Sequence, residues 1–206
     1  MSLPQRTSPL LGSTSPLPEL IREAFRLAQP DGRLDGSRFY GPYNMLLNYL
    51  FPMEGSYMVS PQSNFPGQSK STNSTMTFIV THNGHPVLFV EVRPSSHVDR
   101  VSSRESADKQ MRKRFKDLVA DTQVPKLYGM SVLGTRVCFY SYRKEGVAGY
   151  GGGIFPRTLQ GDKDMATDTA PAGRWQTDVL DPDGIKTLGN IVGHIHDMLT
   201  QLQRES

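Results

Sequence analysis

The feature that most constrains the fold of this 206-residue chain is a pair of β-rich segments joined by the dipeptide Asn83-Gly84. Residues 75–82 read TMTFIVTH and residues 85–93 read HPVLFVEVR. Asn-Gly is favoured in a two-residue type I′ turn because both central residues need a positive φ. The pattern therefore predicts an antiparallel hairpin that contributes two strands to a sheet.

Helical and strand patterns surround this hairpin. Apolar residues that recur at three- and four-residue steps predict helices over residues 18–29, 43–50 and 101–120, and from Asp181-Pro182 onward. Further β-rich runs predict strands over residues 57–59, 126–133, 135–143 and 175–180. This order predicts an α/β fold in which a mixed central β-sheet is flanked by helices.

The length of the chain predicts one domain with loosely ordered segments. Residues 1–17 contain mostly Ser, Pro and Leu and are expected to be a disordered tail. Residues 18–206 are expected to form the domain. Flexible loops are predicted near residues 60–74 and 144–174, which are rich in Gly, Ser and other polar residues.

The composition also bounds the cellular context. The apolar runs are shorter than the roughly 18 residues of a membrane span, and the first residues lack the apolar core of a signal peptide. We therefore expect an intracellular protein, cytoplasmic or nuclear, with no membrane partner. The single cysteine, Cys138, lies in the apolar run VCFY and is predicted to pack in the core.

Two charged residues end the second strand of the hairpin. Side chains alternate along a strand, so Phe89, Glu91 and Arg93 are expected on one face, opposite Leu88, Val90 and Val92. A buried strand normally excludes unpaired charge, so the pair requires a structural or a chemical reason. One open interpretation is a partly buried salt bridge that Glu91 and Arg93 form with each other or with the following helix.

The other interpretation follows from a resemblance. With "EVR" at 91–93, the hairpin, the long helix and the second pair of strands resemble the PD-(D/E)XK nuclease superfamily, which has the restriction-endonuclease-like fold. In that superfamily a hairpin carries an acidic residue on one strand and E-x-K on the next. The resemblance spans about residues 18–143. The segments LFVEVRP, ADKQMRKRF and LYGMSVLGTRVCFY are also similar to a type of uncharacterised fungal intracellular protein, which implies no function.

The superfamily resemblance implies metal-assisted phosphodiester hydrolysis. Acidic side chains hold Mg²⁺ or Mn²⁺, and the ion activates water and neutralises charge on the phosphate. Glu91 would be a metal ligand, Arg93 would take the lysine position, and Gln110 on the following helix would support the site. Because arginine stays protonated near neutral pH, Arg93 would clamp a phosphate rather than act as a base.

The sequence departs from the superfamily at the other acidic position. Between Gly36 and Val98 the acidic residues are Glu54 and Glu91, so the first strand of the hairpin offers threonines, Thr75, Thr77 and Thr81, where the aspartate belongs. Some members of the fold recruit a carboxylate from the first helix. Glu23, with Glu19 and Glu54 as alternatives, is therefore the candidate second metal ligand. The alternative for Glu19 and Glu23 is an ordinary solvated helix face.

The predicted helix over residues 101–120 carries a dense basic run. Ser102 and Glu105 have the spacing of a capping box at its start. The basic residues are candidate contacts to a phosphate backbone: Lys109, Arg112, Lys113, Arg114 and Lys116. The net charge of +3 permits such a partner without requiring it. The alternative is a solvated face with internal ion pairs to Glu105, Asp108 and Asp117.

Three functions thus remain open from the sequence. The first is a metal-dependent nuclease with a degenerate active site. The second is a catalytically inactive nuclease-like fold that binds DNA or RNA through the basic run. The third is a protein-interaction module that contacts a partner through the predicted loops, with Glu91 and Arg93 in structural roles.

Overall fold

The computed structural model describes residues 17–29, 36–62, 75–144, 152–160 and 167–205. The α-helices of these ranges are α1 (Glu19–Ala28), α2 (Tyr40–Leu50), α3 (Val101–Leu118) and α4 (Pro182–Glu205). The strands are β1 (Tyr57–Gln62), β2 (Met76–His82), β3 (His85–Arg93), β4 (Lys126–Leu133), β5 (Arg136–Arg143), β6 (Gly153–Phe155) and β7 (Thr177–Asp178). Among the helices of these ranges, none has both the length and the apolar composition of a membrane span.

The strands form a single mixed sheet. They follow one another in the order β1-β2-β3-β4-β5-β6, and β7 pairs with β5. β3 and β4 are parallel, whereas the other pairs are antiparallel. A parallel pair needs a crossover connection, which here contains α3. The predicted α/β class, with a mixed sheet flanked by helices, is confirmed, while the restriction-endonuclease-like assignment stays a prediction.

The hairpin of β2 and β3 forms around the predicted turn. Asn83 has φ 50° and Gly84 has φ 85°, the positive values that a type I′ turn requires. The second predicted hairpin, β4 and β5, also forms, and its turn contains Gly134 at φ 67°. Local turn chemistry therefore sets both antiparallel registers.

The sheet separates two apolar clusters. On one face Leu88, Val90 and Val92 pack with residues of α1, α2 and α4. On the other face Phe89 packs with α3. A Cβ atom on Gly129 of β4 would lie 2.8–2.9 Å from atoms of the Met111, Phe115 and Phe89 side chains, so α3 lies close against the sheet. The inner face of α3 therefore directly covers the face of β3 that carries Glu91 and Arg93.

The start of α3 differs from its prediction. Arg100 is the N-cap residue, and no side chain caps the helix there, so the predicted capping box of Ser102 and Glu105 is wrong. Glu105 instead accepts a hydrogen bond of 2.8 Å from the Thr169 hydroxyl. The Glu105 carboxylate thus contacts a residue that is distant in sequence, and not the backbone at the start of its own helix.

Several predicted loop and terminal segments also differ or lie outside the described residues. The predicted loop at 144–174 includes β6, and the predicted strand at 175–180 is reduced to β7. Of the predicted loop at 60–74, residues 60–62 belong to β1 and residues 63–74 lie outside the described residues. The predicted tail also lies outside them, apart from Leu17, which is buried in the core.

Candidate functional site

Glu91 and Arg93 lie on the face of β3 that α3 covers, with only 1% and 3% of their surfaces exposed. The predicted alternation along the strand explains this placement, because Phe89 on the same face packs against α3. Carboxylates and guanidinium groups are almost never so buried without a partner. The partners that each side chain finds therefore define the site.

Arg114 of α3 is the charged partner of Glu91. Its Nε donates to Glu91 Oε1 at 3.4 Å, and its Nη2 donates to Thr77 Oγ1 at 3.3 Å. Thr77 lies directly opposite Glu91 in the register of β2 and β3. The guanidinium of Arg114 thus contacts facing residues of two adjacent strands, and all three side chains are buried.

Arg93 has a neutral partner. Its Nη2 donates to the side-chain oxygen of Gln110, which is half-buried on α3. The structure therefore brings together Glu91, Arg93 and Gln110, as the sequence predicted. It adds Arg114 and Thr77 to them.

Some polar atoms of this cluster have no hydrogen-bond partner among the described residues. These are Oε2 of Glu91 and Nε of Arg93. Burial raises the pKa of Glu91 above its ordinary value, and the guanidinium groups of Arg114 and Arg93 offset part of that shift. Burial also lowers the pKa values of Arg93 and Arg114. Each charge in the cluster thus depends on the opposite charge beside it.

The structure does not bring a second carboxylate to Glu91. Glu23 lies on α1, whose buried residues pack with Leu88, Val90 and Val92 on the other face of the sheet. There it forms an ion pair of 2.5 Å with Arg26. The predicted joint metal site of Glu91 and Glu23 is therefore not assembled, since the sheet lies between them.

The alternative acids do not complete the site either. Glu19 is exposed and forms an ion pair with Arg22 on α1. Glu54 is exposed in a short helical turn before β1. Across the described ranges, no group of three or more His, Cys, Asp or Glu side chains is arranged to hold a metal ion.

The basic run of α3 is divided between the core and the surface. Arg114 is buried against Glu91 and is not available to a phosphate backbone. Arg112 pairs with Asp108 at 2.7 Å and donates to the carbonyl of Pro156 at 2.8 Å. Lys109, Lys113 and Lys116 remain exposed, so the predicted surface of five basic residues is reduced to three lysines. Lys109 and Lys113 line a depression of about 540 Å³ together with Ser102, Glu105, Ser106 and Gln110.

A second polar network is built on Asp108, and only its ion pair with Arg112 was among the internal pairs that the sequence offered. Asp108 accepts hydrogen bonds from Arg112, from Arg174 at 3.0 Å and from the Tyr140 hydroxyl at 2.8 Å. Arg104 donates to the carboxylate of Asp168. Together with the bond from Arg112 to the Pro156 carbonyl, these bonds attach the segments at 152–160 and 167–175 to α3. Helical spacing could have indicated this network, because it places Arg104 and Asp108 on the same buried face of α3 as Met111.

Cys138, His85 and His194 have contacts of their own, away from Glu91. Cys138 is buried in the apolar cluster beneath α3, as predicted, and burial raises the pKa of its thiol to about 12. His194 Nδ1 lies 3.1 Å from the Tyr128 hydroxyl. His85 Nδ1 lies 2.9 Å from the carbonyl oxygen of Asp121. Their contacts are thus structural.

The histidines predict a loss of stability in mild acid. Burial lowers the pKa of His82, His97 and His194, and nearby histidine or cationic side chains add to each shift. The unfolded chain therefore binds these protons more readily. The neutral histidines therefore contribute stability that is fully present above about pH 6.5, the ordinary histidine pKa of the unfolded chain. This contribution is lost as the pH falls through the lowered pKa values of the folded state. Urea unfolding at about pH 7.5 and about pH 5.5 measures the effect.

The raised pKa of Glu91 has the opposite effect, because it favours the folded state as the pH falls. The contribution of the histidines is therefore measured by comparing the wild type with a variant that lacks them. A variant with Gln at positions 82, 97 and 194 is expected to lose less stability than the wild type between the two pH values. Equal losses in the two proteins would contradict the assignment.

Comparison of the chain with models of known protein families, with curated proteins and with solved structures found no match.

Proposed function

We propose that this protein is a catalytically inactive nuclease-like fold that binds nucleic acid through the exposed lysines of α3. The observation that carries the proposal is the position of Arg114. Its guanidinium contacts Glu91 and Thr77, which face each other on adjacent strands. In the superfamily that the sequence resembles, acidic residues on those two strands hold the metal ion.

The charges explain why a guanidinium at this place opposes metal binding. Arg114 already supplies positive charge beside the only buried carboxylate of the cluster among the described residues. A divalent cation entering there would meet a like charge in a poorly screened interior. Its ligands would be one carboxylate and a threonine hydroxyl, a weak set for Mg²⁺ or Mn²⁺.

The surface of α3 supports the binding part of the proposal. Lys109, Lys113 and Lys116 are exposed, and the first two flank the same depression. Residues four apart on a helix lie on one face, so these two ammonium groups can contact one stretch of backbone. Lysine contacts to phosphate do not depend on base sequence. We therefore propose binding of DNA or RNA that is sensitive to salt and insensitive to sequence.

Substitution of both lysines by glutamine, Lys109→Gln with Lys113→Gln, tests this surface. The double variant is expected to bind labelled DNA and RNA more weakly at low salt, by a similar factor for unrelated sequences. The slope of log affinity against log salt is expected to fall in magnitude by about 2. Fluorescence anisotropy over a salt series gives both quantities.

Lys186→Gln is the matched control, because Lys186 is exposed on α4, on the other face of the sheet. It is expected to bind like the wild type. Wild-type protein that binds neither DNA nor RNA at low salt would contradict the proposal, as would a double variant with unchanged affinity.

A metal-dependent nuclease is the second candidate, favoured by the unpartnered Oε2 of Glu91. In this alternative Glu91 binds Mg²⁺ or Mn²⁺, Arg93 clamps the phosphate and Gln110 positions Arg93. It requires Arg114 to move away from Glu91. It predicts cleavage of single- or double-stranded substrates that depends on the divalent ion and disappears in Glu91→Ala.

A further inference from the structure

A groove of about 610 Å³ opens on the α3 side of the sheet, beside β1. Its floor contains Ile79 of β2 and Leu118 at the end of α3, both of which are buried in the apolar cluster of that face. Met58 of β1 lines its outer side and is 58% exposed. The groove thus has an apolar floor and an apolar outer rim, in the size range of ligand sites.

The opposite wall of the groove is held in place by hydrogen bonds. The Thr122 hydroxyl donates to the carbonyl of Pro86 at 2.7 Å. His85 lies 2.9 Å from both the Asp121 carbonyl oxygen and Gln123 Nε2. Both ring nitrogens of His85 therefore have a hydrogen-bond partner. The wall is therefore formed before any ligand arrives.

The polar groups of the groove are few. The Thr81 hydroxyl is buried and has no hydrogen-bond partner among the described residues. Among the described residues that line the groove, Asp121 is the only one with a formal charge. A partner with a hydrogen-bonding group and a positive charge would satisfy both.

β1 is the last strand on this side of the described sheet. Tyr57 pairs with His82, so the next pair of the ladder is Ser56 with Asn83, and the Asn83 amide donates to the Ser56 carbonyl. Hydrogen-bonded pairs alternate with pairs that are not hydrogen-bonded in an antiparallel ladder, so Met58 and Ser60 direct their backbone groups toward β2. Tyr57, Val59 and Pro61 direct theirs outward. Pro61 has no N–H, so within the described strand the outward amide donors are those of Tyr57 and Val59.

We propose that this edge and groove bind an extended peptide segment of a partner protein. The peptide adds a short strand beside Tyr57 and Val59, places apolar side chains at alternate positions over Met58 and the groove floor, and sets a basic residue against Asp121. This site lies on a different part of the molecule from the α3 lysines. It does not depend on nucleic-acid binding.

Selection of a random peptide display library on the full chain tests the proposal. The recovered peptides are expected to share alternating apolar residues and at least one Lys or Arg. Synthetic copies are expected to bind Asp121→Lys at least about tenfold more weakly than the wild type, the scale of a charge reversal in an interface. Thr81→Val, which removes only the unpartnered hydroxyl, is expected to weaken binding while the protein stays folded.

Glu205→Lys is the matched control for charge, because Glu205 is exposed at the far end of α4. Its peptide affinity is expected to equal that of the wild type. Amide hydrogen exchange supplies a readout of strand addition. The exchange of Tyr57 and Val59 is expected to slow by about tenfold or more when a selected peptide binds, while that of Ser60 changes little.

Three results would overturn the proposal. The first is a library that yields no peptide above background. The second is a set of selected peptides that bind Asp121→Lys as tightly as the wild type. The third is binding without slower exchange at Tyr57 and Val59, which would exclude strand addition.

Discussion

Arg114→Met is expected to lower the free energy of unfolding by about 3–5 kcal/mol at pH 7, the usual cost of removing one partner of a buried ion pair. The variant keeps most of the side-chain volume but leaves Glu91, which is 1% exposed, with less compensating charge. Urea unfolding of wild type and variant measures the difference.

The pH dependence of this loss identifies its cause. Burial already raises the pKa of Glu91, and the removal of Arg114 raises it further because that guanidinium favours the carboxylate. A group with a raised pKa in the folded state stabilises the fold at low pH and loses that contribution as the pH rises through the folded pKa. The loss relative to wild type is therefore expected to shrink from pH 7 toward acid.

A double variant, Glu91→Leu with Arg114→Met, is the control for packing. Buried ion pairs are often replaced by apolar pairs at little cost, so this variant is expected to recover most of the lost stability and the altered pH dependence. A single variant as stable as the wild type at pH 7 would contradict the assigned pairing. So would a loss that is constant with pH.

Thr77→Asp combined with Arg114→Gln is expected to make folding depend on a divalent cation. The variant places a second carboxylate opposite Glu91 in the strand register and removes the guanidinium between them. Without metal, two buried carboxylates repel and the fold is destabilised. With Mn²⁺ at about 100 times its dissociation constant, stability is expected to rise by about 2.7 kcal/mol.

Thermal unfolding with and without Mn²⁺ measures this gain. Thr77→Asn with Arg114→Gln is the matched control, since an amide adds no negative charge, and its unfolding temperature is expected to respond little to the ion. If the aspartate variant also fails to respond to Mn²⁺, then the facing positions of β2 and β3 do not have the geometry of a metal site.

The hairpin and the faces of β3 were predictable because they follow from local rules. Asn83 and Gly84 adopt the positive φ that their turn requires, and strict alternation places Glu91 beside Phe89. The nearby position of Gln110 was predicted from the resemblance and from the helix that follows the strand. These features do not depend on contacts between distant parts of the chain.

A salt bridge from Glu91 to the following helix was one of the open interpretations of the sequence and is confirmed, with Arg114 as the partner. The basic run did not single out Arg114, because a run of charges in sequence does not share one helix face. Arg114 follows Met111 by three residues and precedes Leu118 by four, so it lies on the buried face of α3, whereas Lys113 points to solvent. The basic residues were grouped by their nearness in sequence. Grouping them by helical spacing separates Arg114 from the lysines.

The position of Glu23 was not predictable from the amphipathic pattern of α1. That pattern shows that one side of the helix is buried, but both faces of the sheet are covered, so it does not say which face α1 covers. The attachment of residues 167–175 to α3 likewise depends on pairs that are distant in sequence, such as Arg104 with Asp168. No local signal specifies such a pair.

Calorimetric titration of Mn²⁺ into the wild type tests most directly the claim that Arg114 takes the place of a metal ion. The predicted result is no saturable binding in the wild type and saturable binding in Thr77→Asp with Arg114→Gln, which disappears when Glu91→Ala is added. Saturable binding to the wild type that is lost in Glu91→Ala, with cleavage of nucleic acid by the same sample, would contradict it.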